Sequence, residues 1–434
     1  NKYKIIVKQY IVKAPAGVRT TINLPASKSI SNRALIISAL AGDGTPPGNL
    51  SDCDDTEVVI DALKNMPPVI DIKAAGTAMR FMTAYLSTCD GDEHIVTGTE
   101  RMKHRPIGVL VDALRFLGAD IEYVGEEGFP PLRIRGRQMD GGELDIQGDV
   151  SSQYISALLM VAPVMRQGLT LNLKGEVISR PYIDLTLCMM REWGAKAEWT
   201  DSRTITVEPS PYTARDYVIE NDWSAASYWY EIMALSQGDD DELTLSGLMD
   251  GSKQGDSSLR YVFSLMGVKT VFGETGNITD VRLKRVRSMV PRLEYDFINS
   301  PDLAQTFVAT CCAMGVKFRF SGLQTLKIKE TDRIEALKAE MLKLGFVLHD
   351  VDGCELYWDG EMCEPAADKS IDTYNDHRMA LAFAPMALRL GEMRINNPEV
   401  VSKSYPYFWD DLRSAGWTVT ELSLIHISEP TRPY

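Results

Sequence analysis

The sequence has few cysteines, and their spacing is not that of a metal site. Seven cysteines are spread over 434 residues, and no two of them form a CxxC pair. This distribution argues against a disulfide framework and against a structural zinc site. Cys311 and Cys312 lie in the apolar run FVATCCAMG, so we expect them to be small, buried core residues.

Long apolar runs and nucleotide-binding motifs are also missing. No apolar stretch approaches the roughly 18–20 residues that a membrane-spanning helix needs. The N-terminal sequence NKYKIIVKQY has no signal-peptide core, so we expect a cytoplasmic protein. The chain has no GxxxxGKS/T loop, no GxGxxG after a strand, no HExxH and no nucleophile elbow. This disfavours nucleotide-driven phosphoryl transfer and zinc hydrolysis.

Positive charge is in deficit. The 46 Lys and Arg residues against 60 Asp and Glu residues give a formal net charge of −14. This balance disfavours nucleic acid or an anionic membrane as a partner. If the substrate is anionic, its site must gather cations locally against an unfavourable overall field.

Two helix patterns each recur six times along the chain. The first is an apolar helix preceded by polar residues, as in SKSISNRALIISALAG, and we expect such helices to be buried. The second is an amphipathic helix that ends at a glycine or turn before a strand, as in IGVLVDALRFLGADIEYV. Six copies indicate a period of about 70 residues, which suits a βαβαββ unit repeated three times in each of two domains. An ordinary α/β chain without repeats is the alternative.

The polar residues that begin the apolar helices predict an anion site. A helix N-terminus has unpaired N–H groups and a partial positive charge, so it attracts anions. For any one helix, such residues are more often a plain N-cap. Several N-termini that converge would instead form a large anion site. The polar N-terminal residues include Lys28, Ser29 and Arg33 in the first helix, Ser151, Ser152 and Gln153 in the third, and Asp376, His377 and Arg378 in the sixth.

Eight motifs occur in the order found in one known family. They are LPASKSISNRALIISALA, AAGTAMR, RMKHRPIG, SSQYISALL, SRPYID, SPDLAQT, KETDRI and YNDHRMA. Together they resemble the 5-enolpyruvylshikimate-3-phosphate (EPSP) synthase family over essentially the whole chain. The resemblance implies an α/β fold, a two-domain inverse α/β barrel of the enolpyruvyl transferase type with three βαβαββ units per domain.

The activity that the resemblance implies is a step of the shikimate pathway to aromatic amino acids. The enolpyruvyl group of phosphoenolpyruvate would move to the 5-hydroxyl of shikimate 3-phosphate by addition and elimination, with release of phosphate. We expect no metal, no organic cofactor, no nucleic-acid or membrane partner, and a monomer.

The resemblance also implies discontinuous domains. Residues 1–23 and 221–421 would form domain one, and residues 24–220 would form domain two. Residues 422–434 fit nothing that precedes them, so we interpret them as a non-native tail and expect the natural chain to end near Thr420 or Glu421.

The resemblance assigns both substrate sites residue by residue. The phosphate of shikimate 3-phosphate would lie on Ser151, Ser152 and Ser179. The other contacts of this substrate would come from Lys28, Ser29, Arg33, Gln153, Tyr182, Asp302 and Lys329. Phosphoenolpyruvate would be bound by Lys28, Gly76, Thr77, Arg105, Gln153, Arg333, Arg378 and Lys403.

Four residues would carry the chemistry. By resemblance, Asp302 accepts the 5-hydroxyl proton, Glu330 exchanges a proton at the methylene carbon with His377 near it, and Lys28 touches both anionic substrates. These types suit the reaction, which needs an acid at carbon, a base for the hydroxyl and dense cationic cover for phosphate and carboxylate.

Some positions depart from the family pattern. Ala74, Phe81, Thr325 and Lys327 replace residues common in the family. The segment between Asp55 and Ala74 is shorter than usual, which leads us to expect that one outer strand is missing.

Two other functions remain open. One is the related enolpyruvyl transfer to UDP-N-acetylglucosamine, although no cysteine lies in a matching loop. The other is a non-catalytic binding protein built on the same fold, although Lys28, Asp302, Glu330 and Arg378 are all retained.

Overall fold

The computed structural model describes residues 4–42, 45–287 and 289–427, with the side chains of residues 8–42, 45–287 and 289–422. Residues 428–434, most of the expected tail, lie outside the described residues. The chain divides into two compact units. Unit 1 comprises Asn1–Leu24, Trp223–Gly251 and Asp256–Tyr434, and unit 2 comprises Pro25–Asp222 and Ser252–Gly255.

The helices and strands alternate along both units. The chain begins with β1 (Lys4–Lys13) and β2 (Arg19–Asn23). The next segment contains α1 (Lys28–Ala41), α2 (Asp54–Asn65), β3 (Val69–Asp71), α3 (Gly76–Ser87), β4 (Glu93–Thr97), α4 (Glu100–Lys103), α5 (Gly108–Phe116), β5 (Asp120–Tyr123), β6 (Leu132–Arg135), β7 (Gly142–Gln147), α6 (Ser152–Val161), β8 (Leu169–Lys174), α7 (Arg180–Glu192), β9 (Ala197–Trp199) and β10 (Thr204–Val207).

The remaining elements belong to unit 1. They are α8 (Trp223–Leu235), β11 (Glu242–Met249), α9 (Leu259–Ser264), β12 (Val268–Phe272), β13 (Ile278–Arg285), β14 (Arg292–Asp296), α10 (Ala304–Met314), β15 (Lys317–Ser321), α11 (Arg333–Lys343), β16 (His349–Val351), β17 (Glu355–Trp358), α12 (His377–Phe383), α13 (Ala387–Leu390), β18 (Met393–Asn396), α14 (Phe408–Ser414) and β19 (Thr418–Ile427). None of the described helices is long and apolar enough to cross a membrane.

Four sheets share one topology, which confirms the predicted βαβαββ repeat. Their strand orders are β3-β4-β6-β5, β7-β8-β10-β9, β14-β15-β17-β16 and β2-β11-β13-β12. In each sheet the first pair is parallel and the other two pairs are antiparallel. A buried helix precedes the second strand and an amphipathic helix precedes the hairpin. In the fifth sheet, β18-β1-β19, β1 pairs with both neighbours.

The copy that contains α1 and α2 lacks the hairpin found in the four sheets of shared topology. Helix α2 ends at Asn65 and β3 begins at Val69, whereas α5 and α7 each lead into a two-stranded hairpin. The sequence predicts that one outer strand is missing, and the structure has neither strand of this hairpin between residues 65 and 69. Single bridges, Ala26 with Asn221 and Gly48 with Val218, occur in this copy.

The six apolar helices form the centre of the two units, as their sequences predict. Helices α1, α3 and α6 contact one another in unit 2, and α8, α10 and α12 contact one another in unit 1. Each is buried over most of its length because it is apolar nearly all round. Burying one large aliphatic side chain stabilises a fold by about 1.5–3 kcal/mol. These helices belong to two separate clusters of buried apolar side chains, so each unit has its own hydrophobic core.

Candidate active site

Charged side chains from four segments of unit 1 meet in one network. The first segment is the 3₁₀ turn Pro301–Leu303, and the second is residues 329–333, which lead into α11. The third is the start of α12, and the fourth is the end of the 3₁₀ turn Pro398–Lys403. We call this network the unit 1 cluster. Its members are Asp302, Lys329, Glu330, Arg333, Asp376, Arg378 and Lys403.

Arg333 is the centre of the unit 1 cluster. Its side chain is only 1% exposed and contacts three carboxylates. Nε donates to Asp376 Oδ2 at 2.7 Å, Nη1 to Asp302 Oδ1 at 2.9 Å and Nη2 to Glu330 Oε2 at 2.8 Å. A planar guanidinium has five N–H donors in a rigid arrangement, so it can fix the relative positions of several acceptors better than the rotatable ammonium of a lysine. Arg333 therefore sets the mutual positions of the three carboxylates.

Asp302 is an ionised carboxylate surrounded by cations. Arg333, Lys329 at 3.4 Å and Arg378 at 3.4 Å approach its two oxygens. Burial alone would raise the pKa of Asp302, but the charges of Lys329, Arg378 and Arg333 outweigh burial and hold the pKa well below its usual range. The side chain is still 20% exposed, so one side of this carboxylate can be reached from solvent.

Glu330 lies between two cations. Oε1 accepts from Lys403 Nζ at 2.8 Å, and Oε2 accepts from Arg333 Nη2 at 2.8 Å. The carboxylate is 14% exposed. His377, 2% exposed, follows the N-cap residue of α12, and its Nδ1 is 3.7 Å from Asp376 Oδ1.

Arg378 joins the unit 1 cluster to α8. Nη1 donates to the Tyr228 hydroxyl at 3.1 Å, and Nη2 lies 3.4 Å from Asp302 Oδ2. Its backbone N–H donates to Asp376 Oδ1 at 3.0 Å, which makes Asp376 the N-cap of α12. Four cations against three carboxylates leave the cluster with a net positive charge, which suits an anionic substrate.

In unit 2, Arg33 is a buried cation held by hydroxyl and carbonyl groups. Nε donates to Thr186 Oγ1 at 2.7 Å, Nη2 to Ser156 Oγ at 3.1 Å and Nη1 to the Ser29 carbonyl at 3.0 Å. Burial lowers the pKa of the Arg33 guanidinium to about 10. Its Cζ lies 5.4 Å from the centre of the Phe81 ring, so this departure from the family pattern packs on a predicted substrate residue.

Lys28 begins α1 and forms an ion pair. Nζ lies 2.9 Å from Asp55 Oδ2, and the two side chains are 16% and 5% exposed. Its backbone N–H donates to Asp222 Oδ2 at 3.4 Å. The ammonium is thus placed by a neighbouring helix, since Asp55 belongs to the first turn of α2.

Gly76 and Thr77 form the N-terminus of α3, next to two arginines. A Cβ added to Gly76 would lie 2.5 Å from Arg105 Nη1 and 2.7 Å from Arg80 Nη1. Only glycine allows these guanidinium groups to come so close to the backbone. Gln153 in the first turn of α6 donates from Nε2 to Thr77 Oγ1 at 3.1 Å, which joins the N-termini of α3 and α6.

The predicted serines lie at two further helix N-termini. Ser151 is the N-cap of α6 and Ser152 is its first residue, while Ser179 precedes α7 with φ 50°. Tyr182 lies in the first turn of α7, and its ring centre is 6.0 Å from Arg33 Cζ. Tyr182 therefore lies near Arg33, and Gln153 joins the N-terminus of α6 to that of α3.

The donors of both units suit anions rather than a metal. Among the residues that the structure describes, no group of three or more His, Cys, Asp or Glu side chains could hold a metal ion. The predicted residues are instead lysines, arginines, serines and helix N-termini, which bind phosphate and carboxylate oxygens.

Sequence reasoning did not assign a role to several residues that hold the predicted ones. From the sequence, Asp376 is predicted only to begin an apolar helix, although it lies in the NDHR motif beside His377 and Arg378. Asp55 had a visible signal in its acidic run DCDD. The unassigned residues in contact with predicted ones are Asp55, Arg80, Ser156, Thr186, Tyr228 and Asp376.

Comparison with known protein families gives one consistent match. The profile of the family described as EPSP synthase (3-phosphoshikimate 1-carboxyvinyltransferase) matches residues 12–70 and 66–412. The chain is 58% identical over 411 residues to a 3-phosphoshikimate 1-carboxyvinyltransferase of Bacteroides fragilis, with 95% of this chain and 98% of that protein covered. It is 35% identical over 423 residues to a protein of the same name from Aliivibrio fischeri, with 90% and 96% covered.

Solved structures share the fold. An EPSP synthase from Acinetobacter baumannii superposes with a TM-score of 0.75 at 20% identity, over 96% of this chain and 100% of that one. The enolpyruvyl transferase NikO from Streptomyces tendae superposes with a TM-score of 0.72 at 14% identity, over 96% and 99%.

Proposed function

The chain belongs to the EPSP synthase family and transfers the enolpyruvyl group of phosphoenolpyruvate to shikimate 3-phosphate, and we propose that the unit 1 cluster and the unit 2 helix N-termini carry this reaction. The observation that supports the proposal most is Asp302, a partly exposed carboxylate whose partners come from the starts of α11 and α12 and from Lys329, which precedes α11. The enzyme is a transferase of the shikimate pathway.

In our proposal, unit 2 residues bind the phosphorylated ring. Ser151, Ser152 and Ser179 receive the phosphate of shikimate 3-phosphate, because helix N-termini offer free N–H groups to an anion. Arg33, with Lys28 and Ser29 on the same helix, lies along the ring. Tyr182 and Gln153 line the same site, and Lys329 and Asp302 of unit 1 reach the 5-hydroxyl.

Phosphoenolpyruvate takes the remaining cations. Arg378 and Lys403 bind its charged groups in unit 1, with Arg333 acting through its charge, because the Arg333 donors already hold carboxylates. In unit 2 the corresponding residues are Lys28, Gly76, Thr77, Arg105 and Gln153. These contacts draw electron density from the leaving phosphate and stabilise the charge that develops during addition.

Two carboxylates move the protons. Asp302 removes the proton of the 5-hydroxyl while the hydroxyl oxygen forms a bond to C2 of phosphoenolpyruvate. Glu330, once protonated, delivers a proton to C3, with His377, the first residue of α12, near it. In the elimination step Glu330 takes a proton from C3, the C2–O bond to phosphate breaks with its electron pair going to the phosphate, and the enol ether forms. When the phosphoenolpyruvate anion occupies Arg378, this cation holds Asp302 less strongly, so the basicity of Asp302 increases where a base is needed.

The acceptor experiment tests this function against the alternatives. Purified protein is mixed with phosphoenolpyruvate and either shikimate 3-phosphate or UDP-N-acetylglucosamine, and product mass and phosphate are measured. We expect equal amounts of phosphate and enolpyruvyl product with shikimate 3-phosphate only. Turnover with UDP-N-acetylglucosamine alone would identify the related transferase, and binding without phosphate release would identify a non-catalytic protein.

Domain limits, assembly and compartment complete the proposal. Residues 1–23 with 221–421 act as one domain and residues 24–220 as the other, in a cytoplasmic monomer without a cofactor. Light scattering after size exclusion should give the mass of one chain, and a dimer mass would contradict the monomer.

A further inference from the structure

We propose that Glu340 is a positioning residue for this reaction, acting through Tyr374. The two side chains fix the turn that immediately precedes Asp376, His377 and Arg378. The inference rests on the proposed function, because it concerns the placement of residues to which that function gives roles.

The turn before α12 has an unusual backbone. Tyr374 and Asn375 both have φ 54°, in the left-handed region that non-glycine residues rarely adopt. This conformation is unfavourable for a residue with a β-carbon, and more so for Tyr374 than for Asn375, because asparagine adopts it more readily. The Asp376 N–H donates to the Thr373 carbonyl at 2.7 Å and closes the turn. Such a conformation persists only where surrounding contacts determine it, and it is common next to functional residues.

Glu340 supplies those contacts from α11. Its side chain is fully buried. Oε1 accepts from the Tyr374 hydroxyl at 2.7 Å, and Oε2 accepts from the Asp372 backbone N–H at 3.1 Å. Lys343 Nζ lies 2.8 Å from Oε2 and compensates the buried negative charge. One carboxylate thus holds both the start and the middle of the turn.

The same helix holds the end of the turn. Arg333 is the first residue of α11 and binds Asp376 at 2.7 Å, while Glu340 follows seven residues later on the same face of the helix. Because α11 is rigid, it fixes the distance between the two ends of the turn. Asp376 then caps α12 and sets the direction of Arg378.

The consequence is a placement effect on the reaction. A displacement of about 1 Å in a binding group can lower the rate by about 100-fold, even when the altered residue is remote from the reacting atoms. Loosening the turn would displace Arg378 and His377 without touching the unit 2 residues. The defect should therefore concern phosphoenolpyruvate more than shikimate 3-phosphate.

Tyr374→Phe is the sharpest test, because it removes only the hydroxyl from a ring that is 37% exposed. We expect the KM for phosphoenolpyruvate to rise by about 10-fold, with the KM for shikimate 3-phosphate within about twofold of the wild type. Glu340→Gln keeps an acceptor for the hydroxyl and should show a smaller rise. The double variant should raise the KM by less than the product of the two single effects, because both changes weaken the same contact.

Tyr357→Phe is the matched control. Tyr357 is a half-buried tyrosine of β17 in the same unit and stacks on His349, away from the turn. It should leave both KM values unchanged. The unfolding temperature of every variant is measured as well, because it distinguishes a displaced binding residue from a loss of folding stability.

Two results would overturn the inference alone. One is wild-type kinetics in Tyr374→Phe, and the other is a lower unfolding temperature with unchanged KM values, which would make the contact purely structural. A wild-type protein that releases no phosphate from the two substrates would overturn the proposed function and this inference together.

Discussion

At the scale of single residues, the site depends on charged side chains that lie where burial disfavours their charged form. Asp302 is buried enough to favour its neutral form, yet three cations keep it ionised. Arg33 is buried without a carboxylate partner among its hydrogen bonds, and its pKa falls to about 10. Both residues are thus held in the charged state in which they must meet a substrate, at the expense of desolvation.

Glu330→Gln should suppress proton exchange at carbon. In deuterium oxide with both substrates, the wild type should incorporate deuterium at the methylene carbon, and NMR measures the rate. We expect the variant to be slower by about 100-fold or more, because an acid–base group contributes about 10²–10⁴-fold.

Glu335→Gln is the control for this change, since Glu335 lies nearby in α11, is exposed and forms an ion pair with Lys338. Exchange at the wild-type rate in Glu330→Gln would remove Glu330 from the proposed role.

Gly76→Ala should weaken phosphoenolpyruvate binding without unfolding the protein. The added Cβ would displace the ends of the Arg105 and Arg80 side chains, which are flexible enough to move. We expect the KM for phosphoenolpyruvate to rise by about 10- to 100-fold with little change in unfolding temperature.

Gly125→Ala is its control, because a Cβ there meets only the Pro131 side chain at 3.9 Å. Unchanged kinetics in Gly76→Ala would show that the two arginines need not approach the α3 N-terminus.

At the scale of helices and strands, the sequence predicts most of the architecture because the repeat has a clear physical signature. A helix that is apolar on all sides, such as α6 or α10, has to be buried. Glycines after amphipathic helices mark where strands follow. The short segment between Asp55 and Ala74 likewise indicates that an outer strand is missing there.

The contacts within the site were less predictable. The sequence shows that Arg333 and Asp376 lie in separate motifs, but not that they bind each other across 43 residues. The left-handed conformation of Ser179, Tyr374 and Asn375 is also invisible, because none of them is a glycine. Such features depend on tertiary contacts, which local patterns do not encode.

Helix α8 carries a buried acid that makes stability depend on pH. Glu231 is fully buried, and within the described part of the chain neither carboxylate oxygen has a hydrogen-bond partner. Burial raises the pKa of Glu231 well above its usual range. The folded state therefore holds a proton that the unfolded state loses, so stability is greatest below the unfolded pKa and falls as pH rises through the folded pKa.

Glu231→Gln should remove this dependence. In urea unfolding at pH 5 and pH 8, the variant should lose less stability than the wild type, with a slope difference of up to about 1.4 kcal/mol per pH unit. Glu335→Gln, which changes an exposed glutamate, should follow the wild type. If the free energy of unfolding depends on pH equally in the wild type and in Glu231→Gln, Glu231 is not buried in its protonated state.

At the scale of the whole molecule, an acidic protein uses anionic substrates because its cations are placed locally. The net charge of −14 is spread over the chain, and solvent ions screen charges beyond about 8 Å at physiological salt. Arg33, Arg333 and Arg378 are buried, where screening is weaker. Each unit has its own core and its own buried cations, so each can hold those cations rigidly.

The central claim is that Asp302 and its cations make this protein a catalyst rather than a binding protein. The most direct test is a single turnover, with enzyme in excess over shikimate 3-phosphate and with phosphoenolpyruvate added, while phosphate release is followed. We predict one phosphate per shikimate 3-phosphate for the wild type and for Asp359→Asn, which alters an exposed ion pair with Arg292. Asp302→Asn should still bind shikimate 3-phosphate by calorimetry but release phosphate about 10²–10⁴-fold more slowly. Wild-type release by Asp302→Asn, or binding without release by the wild type, would contradict the account.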